Sequence, residues 1–365
     1  MIYSQNKVSK VSNYTVQKPK LAARKISEND FPFDGKTSEK LRFLLNYAVL
    51  APSSHNTQPW SFAIVDDAIE LYVDKSRALT VADPDYRELI ISCGAALFNL
   101  RIAIRHFGYR DVVVVFPEQS HPNLLAKISL GSRRIVQLEE NFLFRAILKR
   151  CTNRLPFDDC ELPNSLISEL ECATDAECAG LQVSARVIPL NMRPDVIDLI
   201  DKGDRLQMAD PLFRRELALW LNSKDSSHDG IPAHALGINR RFDVIAPVIS
   251  FIMHSFDLGK SQSSKDRQLA TQAPTLMLIG SQDDDDFGWL ATGEALAHLL
   301  LRARIDDVAA SFFNQPIQVP ELRSHLQAMF PENGYPQILL RLGYAKDIQP
   351  TPRRTVDEVL NEVTS

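Results

Sequence analysis

An α+β fold is predicted by the order of apolar patterns along these 365 residues. Helical and paired-strand patterns follow one another as helix, hairpin, helix, hairpin, without the regular βαβ alternation of a doubly wound sheet. A roughly similar order begins again near Glu139, although no exact sequence repeat is present.

Ser38 to Leu50 carries apolar residues at helical spacing and runs into Ala51-Pro52, where proline stops it. Trp60–Val65 and Ile69–Val73 flank Asp66-Asp67-Ala68 and read as a hairpin. From Arg87 to Phe107, apolar side chains at 89, 93, 96, 97, 100, 104 and 107 mark one face of a long helix. Val112–Phe116 and Ala126–Leu130 read as a second strand pair, and Glu139–Lys149 as the next helix. Further strands are expected at Leu181–Ile188, Pro274–Gly280 and Gln337–Tyr344. The helix Trp289–Arg304 is apolar on nearly every side, which predicts a central buried helix. Roughly Arg205 to Lys265 has no counterpart in the first half; it contains a helix near Pro211–Leu221 and a Ser, Asp, Gly and His loop at 223–237. Insertions of this length are often lids.

Apolar residues at 45%, charged residues at 24% and a net charge of −5 describe an ordinary globular chain that does not attract nucleic acid. Residues 1–35 read as a tail or arm: six Lys and Arg precede the first acid, Glu28, without the apolar core of a signal or anchor. Leu89–Leu100 is too short to span a bilayer, so no membrane is expected. Cysteines at 93, 151, 160, 172 and 178 form no metal spacing and leave one unpaired, which suits the cytoplasm.

No glycine-rich phosphate loop, nucleophile elbow or zinc-protease helix occurs, so any nucleotide phosphate must be held mainly by side chains. The acidic run Asp283–Asp286 reads as a solvated loop, and no metal is expected. The most informative stretch is Ala51-Pro-Ser-Ser-His-Asn-Thr-Gln-Pro-Trp60, a polar turn between a helix and a strand. Prolines at both ends preorganise its two hydroxyls and two carboxamides, a donor and acceptor set that suits an isoalloxazine edge. A helix cap and hairpin entry without a ligand is the alternative.

Pro-Ser-Ser-x-Asn-x-Gln-Pro-Trp closely resembles the segment with which nitroreductase-family flavoenzymes contact FMN from one subunit of a dimer. Arg150-Cys-Thr-Asn-Arg154 is similar to the family segment that binds the phosphate and the pyrimidine side. Trp289-Leu-Ala-Thr-Gly-Glu is similar to the start of the family's central helix, and Thr351-Pro-Arg-Arg-Thr to its C-terminal basic motif. The central helix departs from the family by ending in Arg304-Ile-Asp-Asp, where most relatives have a glycine turn.

The resemblance implies FMN contacts from Pro52, Ser53, Ser54, Asn56 and Gln58 in the first half. It implies further contacts from Arg150, Thr152, Arg154, Gly293, Arg353 and Arg354 in the second, with Arg354 the better match of the last pair. Cys151, His55 and His298 receive no catalytic role, and no dedicated general acid is identified. One chain holds one full motif set, which resembles the Acg-like branch: a fused pseudo-dimer with one FMN and a lid. The implied architecture is two nitroreductase-like halves, 36–138 and 139–365, each an antiparallel-rich sheet with packed helices, with a lid insertion at about 205–265. Part of that insertion, around Trp220–Leu236, is expected over the flavin, its helix presenting Leu212, Phe213, Leu217 and Trp220.

The implied function is ping-pong hydride transfer from NADPH or NADH through FMN to a small-molecule acceptor, a nitroaromatic or a quinone. An FMN-sequestering protein with little turnover is the alternative, and a fold that has lost its flavin a third reading. The chain is expected as a monomer with an internal pseudo-dimer, or as a homodimer of such chains.

Overall fold

The computed structural model describes residues 22–118, 120–175, 183–222, 227–232 and 259–361. Helix α1 (Thr37–Ala48) buries Leu41, Leu44, Leu45 and Ala48 at i, i+3, i+4 and i+7. Strands β1 (Trp60–Val65) and β2 (Ala68–Val73) pair antiparallel around Asp66 and Asp67. Both aspartates have positive φ, 47° and 58°, which gives a two-residue turn matched to the strand twist. Helix α2 (Arg87–His106) starts where Asp83 accepts from the N–H groups of Glu88 and Leu89, at 3.0 and 2.9 Å. Strands β3 (Tyr109–Val115) and β4 (Leu124–Arg133) complete a sheet of order β1-β2-β4-β3, antiparallel throughout.

After α3 (Leu138–Lys149) and α4 (Asn164–Asp175), a second sheet forms from β5 (Val183–Val187), β8 (Thr275–Ser281), β9 (Val308–Phe312) and β10 (Tyr335–Tyr344). Its order is β5-β8-β10-β9, again antiparallel. In chain order each sheet therefore runs first, second, fourth, third. Each also sends a 20-residue helix from its second strand to its third, α2 in the first half and α8 (Asp286–Ile305) in the second. That repetition bears out the two tandem halves. Where the first half has a two-residue turn, the second has α5 (Arg193–Ala209), α6 (Pro211–Trp220), the short parallel pair β6 (Leu221–Asn222) and β7 (Ile231–Pro232), and α7 (Gly259–Thr271). Three shorter helices follow: α9 (Gln315–Gln318), α10 (Pro320–Met329) and α11 (Val356–Val359).

Helices α2 and α8 cross at Gly94 and Gly293. A Cβ on Gly94 would overlap Leu290 O, and one on Gly293 would overlap Ile91 O, so the close approach needs both glycines. The expectation of a central helix buried on all sides holds for α8, whose apolar residues divide between the two cores. By length and composition α2 could cross a membrane, but 83% of its apolar window is buried inside the fold.

Packing crosses the expected boundary at 138/139. Leu143, Phe144, Ala146 and Ile147 of α3, and Val356 and Val359 of α11, belong to the first core. The C-terminal chain also pairs Leu360 with Phe62 on the edge of the first sheet. The second sheet is covered on both faces, by α4 and α8 on one side and by α5, α7 and α10 on the other. The acidic run is a solvated loop at Asp283, Asp285 and Asp286, which are exposed, and it also has a structural part: Asp285 caps α8, while Asp284 pairs with Arg323 at 2.6 Å and accepts from Trp289 and Gln337. At the end of α8, Asp307 takes φ 58° in the position where the family resemblance expects glycine.

Candidate functional site

The 52–58 turn is held open by backbone that side chains rarely adopt. His55, Asn56 and Gln58 have φ of 48°, 57° and 52°. Ser53 Oγ accepts from Gln58 N–H at 2.9 Å, closing the turn on itself. Its outer edge carries the two carboxamides. Asn56 donates to Gly230 O at 3.0 Å and Pro352 O at 3.2 Å. Gln58 donates to His228 O at 2.8 Å and accepts from the Arg354 N–H at 2.8 Å. Both carboxamides thus tie the turn to 228–230 and to 352–354.

The inner edge lines a cavity of about 450 Å³. Pro52, Ser53, Ser54 and His55 form one wall, and Thr152 and Arg154 another. The 152–154 segment is placed by the free edge of β9, where Thr152 bridges to Ala310 and Asn153 N–H donates to Ala310 O at 2.9 Å. Ile91, Ser92 and Ala95 of α2, Leu296 of α8, and Phe312 and Phe313 supply apolar and small surface. Phe213 and Leu217 of α6, Leu221 and Ile231 close it from the insertion. The expected apolar face of α6 is corrected in part: Leu212 is 58% exposed, while Leu217 and Trp220 pack with Phe213 against Leu79, Ala82 and Met208. Residues 223–226 and 233–258, about half of the expected lid, lie outside the described residues.

Charge is distributed unevenly around the cavity. Among the described residues, the Arg154 guanidinium has no hydrogen-bond or ion-pair partner; burial lowers its pKa, and the charge of Asp266 works against that. Burial takes His55 down to about 4, with Glu88 opposing and Arg154 assisting, so its ring is neutral at pH 7. Its Nδ1 has no partner among the described residues. Glu88, buried at the start of α2, accepts from Ser54 Oγ, Gln318 Nε2 and Asn314 Nδ2 and pairs with Arg87 at 3.2 Å. Asp204 of α5 and Asp266 of α7 face the same space.

Arg150 and Arg353 lie in a separate buried cluster with Arg24. Arg353 donates to Ala51 O at 3.1 Å, Arg150 to Leu50 O at 3.3 Å, and Arg24 to Leu148 O and Arg150 O. None of the three has a carboxylate partner among the described residues, and Nε of Arg24 and of Arg150 is unsatisfied. Burial and mutual repulsion take Arg150 down to about 10 and depress Arg353 further. Such a cluster suits a bound polyanion. Its carbonyl partners Leu50 and Ala51 lead directly into the cavity wall at Pro52.

The structure therefore sorts the sequence candidates into three groups. Pro52, Ser53, Ser54, Thr152 and Arg154 line the cavity; Arg150 and Arg353 form the cation cluster; Asn56, Gln58 and Arg354 tie segments together. The Arg354 guanidinium donates to Gln58 O and Glu358 O, which makes it a strut between these segments. Gly293 lies at the helix crossing and not on the cavity wall. Sequence reasoning missed Arg24, Glu88, Asp204 and Asp266. Asp204 falls in register with buried Val196, Ile200 and Met208 on α5, a carboxylate within an apolar stripe that could have flagged it.

No family model matches the chain. Two Mycobacterium tuberculosis (strain H37Rv) proteins named "Putative NAD(P)H nitroreductase" are similar along almost its whole length. One, acg, is 27% identical over 334 residues, 89% of this chain and 96% of its own. The other is 31% identical over 329 residues, 88% of this chain and 91% of its own. This chain belongs to the nitroreductase family. The nitroreductase PigM of a Serratia species is 24% identical over 88% of this chain and 93% of its own. An FMN-dependent nitroreductase from Mycobacterium smegmatis, solved with NADPH, aligns at TM-score 0.38 and 14% identity over 61% of this chain and 98% of its own. Among the described residues of this nitroreductase, no group of three or more His, Cys, Asp or Glu side chains comes together to hold a metal.

Proposed function

We propose that this chain is an FMN-dependent NAD(P)H oxidoreductase with one flavin site, formed by the cavity and the adjoining arginine cluster. The observation that carries the reading is a set of cations that form no ion pair among the described residues: Arg154 in the cavity, and Arg24, Arg150 and Arg353 behind its wall. A flavin mononucleotide combines a flat, largely apolar ring with a phosphate dianion, and the two environments match those parts. The cavity, at about 450 Å³, is within the roughly 300–1,000 Å³ range of small-molecule sites.

When bound, FMN supplies two-electron hydride transfer, which lets one site serve a nicotinamide and then an acceptor in turn. The chain's own residues bind and orient. Arg24, Arg150 and Arg353 hold the phosphate, and Ser53, Ser54 and Thr152 offer hydroxyls to the ring's polar edge. Arg154 would place a positive charge beside the ring, suited to a reduced, negatively charged flavin. Asn56 and Gln58 act indirectly by fixing the turn and the 227–232 segment. The acceptor class is nitroaromatic or quinone, the unit is the single chain with its internal pseudo-dimer, and the unpaired thiols of Cys93, Cys151, Cys160 and Cys172 suit the cytoplasm.

The test is to purify the protein, identify its flavin by chromatography, and follow NADPH oxidation with and without a quinone. One FMN per chain with acceptor-dependent oxidation supports the reading. FAD, or two flavins per chain, overturns the site; FMN without NAD(P)H oxidation marks a flavin store.

A further inference from the structure

Facing the cavity from the insertion are two carboxyl groups that the arginine sites do not use. Asp204 is 3% exposed and Asp266 8%, and they are hydrogen-bonded to each other. Gln315 Nε2 donates to Asp204 Oδ1 and to Asp266 Oδ2, each at 3.0 Å, and Gln262 Nε2 donates to Asp266 Oδ2 at 2.9 Å. Among the described residues, no N–H or O–H reaches Asp204 Oδ2. Two buried carboxyl groups in contact hold one proton between them. That proton is shared across the Asp204–Asp266 contact, while Asp266 Oδ2 takes both amide donors.

The charged groups around the pair come from four elements: Asp201 on α5, Lys265 on α7, Arg341 on β10 and Arg154 on the 150–154 segment. Burial raises Asp266 as well, with Lys265 and Arg341 working against it, while Asp201 disfavours ionisation of Asp204. Burial and the neighbouring Asp266 push Asp204 up to about 8. An acid in that range is protonated at neutral pH yet close enough to it to release its proton, the balance general acid catalysis needs.

We propose that Asp204 and Asp266 form a one-proton acid pair, and that Asp204 protonates an oxygen of the acceptor as that acceptor is reduced in the cavity. The inference rests on the oxidoreductase reading above and adds a catalytic acid to it. For a quinone the balance is Q + H⁻ + H⁺ → QH₂. NAD(P)H is the reductant, oxidised to NAD(P)⁺, and the quinone gains the hydride's two electrons. The O–H bond of Asp204 breaks while an O–H bond forms on the quinone oxygen. The pair, left as two carboxylates beside Lys265 and Arg341, regains a proton from solvent. Periodicity could flag Asp204 alone and not the pair, because its two halves lie on helices 62 residues apart in chain position, brought together by the contact of α5 with α7.

Two readouts test the proposal on the full-length protein. In infrared spectra the wild type should show the carbonyl band of a protonated carboxylic acid at pH 7, lost on titration through about pH 8 and absent from Asp204→Asn. In stopped flow, reoxidation of the NADPH-reduced protein by 1,4-benzoquinone should be slowed by roughly 10²-fold in Asp204→Asn, the lower end of what a positioned general acid contributes. Reduction by NADPH should be unchanged. Asp266→Asn, which removes the like charge, should keep the band and move the alkaline limb of the reoxidation rate to lower pH. Absence of the band from the wild type overturns the proposal, as does Asp204→Asn reoxidised at the wild-type rate. A wild type that holds no FMN defeats the oxidoreductase reading instead, and the infrared experiment still decides whether the pair shares a proton.

Discussion

Asn56 and Gly230, 174 positions apart, hold each other by two hydrogen bonds: the Asn56 carboxamide donates to Gly230 O at 3.0 Å, and Gly230 N–H donates to Asn56 O at 3.2 Å. Gly230 sits at φ 72°, so both residues occupy left-handed backbone to meet. Through this pair the insertion is anchored on the turn that forms the cavity wall.

Asn56→Ala leaves the carbonyls of Gly230 and Pro352 without that donor. The expected loss of stability is about 1–3 kcal/mol, read from urea unfolding of the flavin-free protein. Because 231 lines the cavity just beyond Gly230, the loosened segment should also admit NADPH faster. Equal or slower reduction in a variant that retains flavin would count against gating by this segment.

The arginine cluster predicts opposite effects on folding and binding. In flavin-free protein, Arg150→Met relieves repulsion from Arg24 and Arg353 while giving up the bond to Leu50 O. Its stability should stay within about 1 kcal/mol of wild type. FMN affinity should fall by about one to two decades, the equivalent of one charge-assisted hydrogen bond at roughly 1.4 kcal/mol per decade. Arg354→Ala, a strut, should weaken FMN less. Equal FMN affinity in Arg150→Met and wild type would place the phosphate elsewhere.

Gly293→Ala tests the helix crossing. The added methyl meets the backbone of Ile91, which cannot rotate away as a side chain can. A destabilisation of about 1–3 kcal/mol or more is expected, with FMN affinity unchanged in whatever protein folds. A selective loss of FMN with full stability would restore Gly293 to the cofactor.

Two cavity groups give stability a pH dependence of opposite sign. His55 is depressed to about 4, so between roughly pH 4 and 6.5 the unfolded chain binds a proton that the native state refuses, and stability rises with pH. Asp204 is raised to about 8, so from about pH 4 to 8 the native state keeps a proton that the unfolded chain has lost, and stability falls. The two slopes oppose each other below about pH 6.5, leaving the fall exposed between about 6.5 and 8. Asp204→Asn should flatten that fall in denaturation series across the range. A wild-type stability that rises from pH 6.5 to 8 would contradict it.

Periodicity made most of the fold legible, because helices α1, α2, α3 and α8 and the hairpin β1–β2 each bury one continuous face. It missed β9, whose Val-Ala-Ala-Ser-Phe sequence is too small and short to stand out beside the apolar helix before it. It also missed α5 and α7, whose polar residues mask narrow buried stripes. At the site, the local motifs 52–58 and 150–154 were visible as sequence. Which of their side chains faces inward was not, since left-handed backbone at His55, Asn56 and Gln58 turns the carboxamides away from the cavity. Arg353 and Arg354 could not be separated by spacing alone; only the neighbouring Arg24 and Arg150 show which of them is buried among cations.

The matching strand order of the two sheets has a consequence for how such a protein can change. In an assembly of two identical chains, any lengthening of the hairpin between the first and second strands is duplicated, and both clefts acquire the same wall. Here one copy keeps Asp66-Asp67, while the other carries residues 188–274 in the same place. With both halves in one chain, a single cleft can be elaborated while its sister position is spared, so a change in one need not be tolerated by the other. Trimming 188–274 to a two-residue turn would therefore remove Asp204, Asp266, Phe213 and Ile231 from the cavity in one step, and with them the α5 and α7 side chains that cover one face of the second sheet.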